Sequence, residues 1–180
     1  MYTITIALFF NEEINLASFD ELINQTKKNL SFLESVNQKI KNNFDWQVTI
    51  CFYSAVHIIN AHIAKIADLH YRSHEDVNKA INPANQISPA KLDEDNYLAY
   101  MKLQNLSRRA RYLCHDKPSN KSTEAFLTHD VHLKKALRHL DKLISFINSK
   151  HKVEIEAYSL NCIGLNNELV KNFIVSSQEL

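Results

Sequence analysis

Apolar residues recur along this chain mostly at helical spacing. Phe19, Leu22, Ile23, Leu30, Leu33 and Ile40 fall on one stripe, with Thr26 filling a step. Ser18, followed three positions later by Glu21, forms a capping box that opens this first helix. Asn42, Asn43 and Phe44 end it, and Asp45 suits the N-cap of the next helix. The segment from Trp46 to about Leu69 is the most apolar in the chain. Trp46, Val48, Ile50, Phe52, Tyr53, Val56, Ile58, Ile59, Ile63 and Ile66 leave it no wide polar face, which predicts burial on most sides. Its small and polar residues, Gln47, Ser54, His57, Ala61, Lys65 and Asp68, share one narrow stripe suited to close approach by another helix or a second subunit.

A short third helix is predicted from Ser73 or His74 to Ala80, then a proline-marked loop from Asn82 to Pro89. Asp93 caps a fourth helix that ends before Pro118, with Ala99, Leu103, Leu106, Ala110 and Leu113 on its buried face. The last long helix is predicted from about Thr123 to Ser149, where Leu133, Leu137, Leu140, Ile144 and Ile147 form a bundle seam. Tyr2 to Leu8 alternate like a short strand, and Val153 to Leu160 resemble another that could pair with it. The tail from Asn166 to Leu180 is ambiguous. The expected fold is mainly all-α, an antiparallel up-down helical bundle in a single domain over 1–180. Its core covers about 18–150, with a small terminal β element made from segments 1–10 and 153–160.

Composition sharpens this picture. One Gly and three Pro are too few for a turn-rich β fold. Gly164 is the sole glycine, so phosphate-cradling glycine loops, dinucleotide folds and a serine-hydrolase elbow are excluded. The formal net charge of +1 excludes a bulk polycation but not a local basic patch. Cys51, Cys114 and Cys162 show no pairing pattern, and Cys51 reads as a reduced buried thiol. A cytoplasmic setting, no signal peptide, no membrane association and no cofactor are expected.

The sharpest chemical signal runs from Tyr97 to His115. Arg108, Arg109 and Arg111 crowd the end of the fourth helix, and His115 follows. A guanidinium can grip two phosphate oxygens, and an imidazole titrating near neutrality can move protons. Here the chain resembles the HEPN domains, small antiparallel helical bundles. The resemblance rests on Asp45-Trp46, Phe52, Tyr53, Ala55 and His57, on His70 and His74, and on Leu106, Ser107, Arg108, Arg111 and Tyr112. It covers roughly residues 20–150.

Many HEPN proteins are metal-independent ribonucleases with an Arg-x(4–6)-His motif, often acting as dimers. The resemblance therefore implies an RNA-binding protein, or a ribonuclease, of a defence, stress-response or toxin–antitoxin system. Its partners would be RNA, a second copy of the chain and a cognate antitoxin or nucleotidyltransferase. Arg109 to His115 has five intervening residues and Arg108 to His115 has six, so both fit the motif, whereas Arg111 does not. The family's arginine is commonly followed by a polar residue, which favours Arg108. Arg108, Arg109 and His115 are the catalytic candidates, and Arg111, Tyr112 and His57 the candidate nucleic-acid contacts.

Blander readings stand beside these. The arginines could pair with Asp116 or Glu124, with His115 merely facing the helix C-terminus. His57 suits a hydrogen-bonded core position. His70 and His74 could share a helix face as metal ligands, but no third ligand is evidently spaced for them, so no metal site is expected. His129, His132 and His139 read as a solvated face. Tyr97, Tyr100 and Tyr112 could stack on bases, and core packing accounts for at least two of them equally well. The alternative function is a non-catalytic HEPN-like module for dimerisation, nucleotide binding or partner binding.

Overall fold

The computed structural model describes residues 17–113, 127–162, 165 and 170–176. It is mainly helical, with five helices and a small two-stranded parallel sheet. The helices are α1 (Phe19–Ile40), α2 (Phe44–Ala67), α3 (His74–Ile81), α4 (Glu94–Tyr112) and α5 (Asp130–His151). The strands are β1 (Tyr158–Asn161) and β2 (Phe173–Ser176).

α2 is the axis of the fold, with α1, α3, α4 and α5 packed around it. Val48, Cys51, Phe52, Ala55, Ile58, Ile59, Ala61 and Ile63 are fully buried. Of the small and polar stripe, Gln47, Ser54 and Ala61 are buried, His57 is half-buried, and Lys65 and Asp68 are exposed. Trp46, Tyr53 and Ile66 depart from the expected all-round burial and remain exposed. α2 is long and apolar enough to cross a membrane by length and composition, yet most of it is covered by the rest of the chain.

Local signals set the helix ends. At α1, Ser18 Oγ accepts from the Glu21 N–H at 3.3 Å, and Glu21 Oε2 accepts from the Ser18 N–H at 2.8 Å. Ser73 and Asp93 cap α3 and α4 in the same manner, each accepting from the backbone N–H three residues on. α2 starts earlier than expected: Asn43 is its N-cap, and Asp45 lies inside the first turn, where a carboxylate favours the positive end of the helix dipole. It also stops earlier, because Asp68 turns into the left-handed region with φ 54°. α5 starts later than expected, at Asp130, and Leu127 to His129 are not helical. The seam Leu133, Leu137, Leu140, Ile144 and Ile147 is buried as the spacing requires. Ile40 and Leu113 leave their expected stripes and are exposed, since each sits where its helix ends.

The sheet differs from the expected terminal pairing. β1 occupies only the end of the segment 153–160 and pairs in parallel with β2, which arises from the ambiguous tail. Segment 1–10 lies outside the described residues, so its proposed pairing does too. The other side of β1 is tied to α1. Ser159 N–H donates to Glu34 Oε1 at 2.6 Å, and Asn161 N–H donates to Asn37 Oδ1 at 2.6 Å. Polar side chains one helical turn apart thus serve as a neighbouring strand would.

Asn37 is buried and links three elements. Its Nδ2 donates to Gln47 Oε1 on α2 at 2.8 Å and to the Asn161 carbonyl on β1 at 3.0 Å. Gln47 Nε2 in turn donates to the Lys41 carbonyl at 2.7 Å, closing the turn between α1 and α2. Asn37→Ala orphans several buried groups at once. It is expected to cost about 2–4 kcal/mol in urea denaturation. A loss under about 0.5 kcal/mol would show that water replaces the amide without penalty.

Candidate functional site

The three arginines of α4 do not form one cluster. Successive helical residues turn by about 100°, so Arg109 and Arg111 point to nearly opposite sides of the helix. Arg108 is exposed, Arg109 is half-buried toward α5, and Arg111 is half-buried toward α2. His115 lies outside the described residues, as do Cys114, Asp116 and Glu124, so neither the Arg–His pairing nor the carboxylate alternative can be placed.

Arg109 lines a cleft of about 350 Å³ between α4 and α5. Lys102, Asn105, Leu106 and Arg109 supply one wall, and His132, Lys135 and His139 the other. The α4 residues recur at three- and four-residue steps, as do those of α5, so each set forms a stripe along its helix. Among the described lining residues none is acidic. Lys142, nearby on α5, is bound at 2.8 Å to Asp95.

The cleft's histidines report this environment. Burial, followed by the positive charges of Lys102, Lys142 and Arg138, lowers the His139 pKa to about 4. His132 is also lowered, mainly by burial and then by Lys135 and His129, with Arg109 adding to it. Both imidazoles therefore favour the neutral state at pH 7. His132 Nδ1 accepts from the His129 N–H at 2.9 Å, which fixes its ring at the start of α5. The solvated-face reading of His132 and His139 is corrected: they face Arg109 across a cleft. Their seven-residue spacing, matched by that of Lys102 and Arg109, was the available signal.

Arg111 has a different setting. Its guanidinium carbon lies 5.3 Å from the Tyr112 ring centre, 5.8 Å from Tyr53 and 6.0 Å from Phe52. Its Nε donates to the Ser107 carbonyl and its Nη1 to Tyr53 Oη, both at 3.4 Å. It lines a second pocket, of about 140 Å³, with Asp45, Trp46, Thr49 and Ala110. Tyr112 is exposed, whereas Tyr100 is fully buried and Tyr97 packs on the core, as core packing for two of the three tyrosines required.

His57 lines neither cavity. Its Nδ1 is buried without a hydrogen-bond partner, and burial followed by His70 lowers its pKa. His70 lies before α3 and His74 opens it, so the two do not share a helix face. His74 instead packs against Phe52, with ring centres 5.0 Å apart. Among the described residues no group of three candidate ligands could hold a metal. Cys51 and Cys162 are buried free thiols, and burial is the main cause raising both above their usual range.

A further histidine pair lies at the far end of α2, where His62 Nδ1 meets His151 Nε2 at 2.9 Å. Burial and His151 lower the His62 pKa to about 4. Neither the sequence pattern nor the family resemblance pointed to it. Comparison with protein-family models, curated proteins and solved structures finds no match.

The lowered histidines give a pH dependence. An unfolded imidazole takes up its proton near pH 6.5, whereas His62 and His139 in the folded chain take theirs up near pH 4. Between those values the unfolded chain binds more protons, so stability falls as pH falls through this window. Thermal melts are expected to drop by roughly 5–10 °C between pH 7 and pH 4.5. His139→Gln should make the slope shallower. An unchanged slope would show that His139 does not contribute to it.

Proposed function

We propose that this chain is a HEPN-like RNA-binding protein, and that the cleft between α4 and α5 receives the RNA phosphates. The observation that carries this reading is the composition of the cleft. Lys102, Arg109 and Lys135 converge on one opening with no acid among its described lining residues, in a chain whose formal net charge is only +1. Cations gathered at one opening favour a polyanion, because phosphate relieves their mutual repulsion. Of the two arginines that satisfy the Arg-x(4–6)-His spacing, Arg109 is the one in the cleft.

The catalytic form of the proposal adds His115 as the proton-transfer group and Arg109 as the group that stabilises charge on the phosphorus oxygens. It needs no metal. A second chain would bring a second Arg–His pair to a composite site. The apolar surface of α2 that suggested a dimer is largely taken up by α1, α4 and α5, so sedimentation must decide the assembly.

Single-stranded RNA binding should be strongly salt-dependent. Lys102→Ala, Lys135→Ala and Arg109→Ala should each weaken it several-fold, and each should reduce the slope of log K against log salt by about 0.7. Binding titrations between 50 and 200 mM salt measure both quantities. His115→Ala should abolish any cleavage while leaving binding largely intact. Wild-type protein that fails to bind RNA at low salt would sink the reading and leave the non-catalytic module in its place.

A further inference from the structure

The pocket beside Arg111 is chemically unlike the cationic cleft. It combines an indole, a carboxylate, a guanidinium and a hydroxyl, from Trp46, Asp45, Arg111 and Thr49. Asp45 and Arg111 both line it, yet no ion pair joins them, and among the described residues neither is paired with another charged side chain. An acid and a base thus face one small space without neutralising each other. Trp46 is 60% exposed, with Tyr53 at 40% and Tyr112 at 67%. Trp46 in the pocket, with Tyr53 and Tyr112 beside the Arg111 guanidinium, leaves open aromatic surface on which a planar ligand can stack.

We propose that this pocket binds a guanine base, stacked on Trp46. Guanine presents two adjacent N–H donors, at N1 and N2, which one carboxylate can accept together. Its O6 and N7 on the neighbouring edge accept from a guanidinium, the commonest specific contact to this base. Asp45 and Arg111 supply these two partners. The aromatic contacts to Phe52, Tyr53 and Tyr112 restrain the Arg111 guanidinium, so binding costs it less conformational freedom. Adenine offers a carboxylate only one amino group beside an acceptor nitrogen, which would face Asp45 unfavourably. Cytosine and uracil lack the paired donors and give less stacking surface.

The volume, about 140 Å³, suits a single ring system. The guanine could belong to a free nucleotide or to an RNA strand. This site lies on the opposite side of α4 from the Arg109 cleft and stands whether or not that cleft binds phosphate.

Trp46 is the only tryptophan in the chain, so its emission reports this pocket alone. Guanosine monophosphate should quench it saturably, with an affinity roughly tenfold or more above those for the adenosine, cytidine and uridine monophosphates. Asp45→Asn should retain the fold by circular dichroism and lose most of this preference, since the amide can accept only one of the two donors. Arg111→Lys, measured by the same quenching, should weaken guanosine binding several-fold. Lys102→Ala should leave guanosine quenching unchanged while weakening RNA binding, so failure of one site is distinguishable from failure of the other. Comparing guanosine monophosphate with an oligonucleotide containing one guanosine among uridines separates the two sources. Tighter binding of the oligonucleotide indicates a base read within RNA, and equal binding indicates a nucleotide site. Equal quenching by all four monophosphates, or none, would overturn the proposal. A concentration-dependent blue shift of Trp46 emission without nucleotide would also overturn it, by showing that a second chain covers the indole.

Discussion

A helix without a polar face must be covered on nearly every side, and α2 imposes that requirement on the whole molecule. Each buried Ile, Val or Phe along it contributes about 1.5–3 kcal/mol relative to exposure. Covering Val48, Phe52, Ile58, Ile59 and Ile63 takes more than one neighbour, so α1, α4 and α5 pack around α2. The small-residue stripe of Gln47, Ser54 and Ala61 is buried within this packing. The position of α4 follows from the same requirement. Ala99, Leu103, Leu106 and Ala110 are buried against the core, which fixes the rotation of the helix about its axis. Once that rotation is fixed, Arg109 must lie toward α5 and Arg111 toward α2.

Polar contacts then join the C-terminal segment to a bundle already closed by apolar packing. The Asn37 amide holds β1 and α2 together, while the buried Asp141 does equivalent work at β2. Its Oδ1 accepts from the Lys171 N–H at 2.8 Å, the Asn172 N–H at 2.7 Å and Asn172 Nδ2 at 2.9 Å. A buried carboxylate would be costly without such donors. Here it positions the entry to β2, so that Phe173 and Val175 face the core while Ile174 faces out. Two short parallel strands have little stability of their own. Side-chain donors and acceptors from α1 and α5 make this pair part of the domain.

Much of the helical architecture was legible because apolar spacing, capping residues and proline positions act locally. Ser18 and Asp93 cap the helices they were expected to cap, Ser73 caps the short helix expected to start at Ser73 or His74, and the α5 seam is buried. Errors arose where tertiary contact overrode a local preference. Asp45 and Asn43 are comparable caps in isolation, and starting α2 at Phe44 packs that ring against the core. β2 was not legible, since Phe173 to Ser176 depend on a partner strand and on Asp141. At the candidate site, proximity in sequence suggested a single arginine cluster. The arginines were singled out as one group, but helical geometry divides them between two faces. Half of the cationic cleft comes from α5, about thirty residues away, so only a comparison of two helix stripes could have found it.

The division of Arg109 from Arg111 gives one helix two chemically different surfaces. On the α5 side, positive groups gather without an acid among the described lining residues, and their field adds to burial, the larger cause, in lowering the His139 pKa. An anion entering the cleft would reverse that field, because a negative charge near an imidazole favours its protonated form. Anion binding and protonation of His139 are therefore coupled, each promoting the other. On the α2 side, Arg111 is held by aromatic faces and shares its pocket with an acid, so its charge is directed rather than diffuse. A diffuse cationic cleft suits a backbone of repeating phosphates, which demands charge more than shape. A restrained guanidinium opposite a carboxylate, with an indole beside them, suits a planar ligand with donors and acceptors in a fixed order. On the two proposals above, these surfaces correspond to the two parts of a nucleotide, and the apolar stripe that buries α4 determines where each one faces.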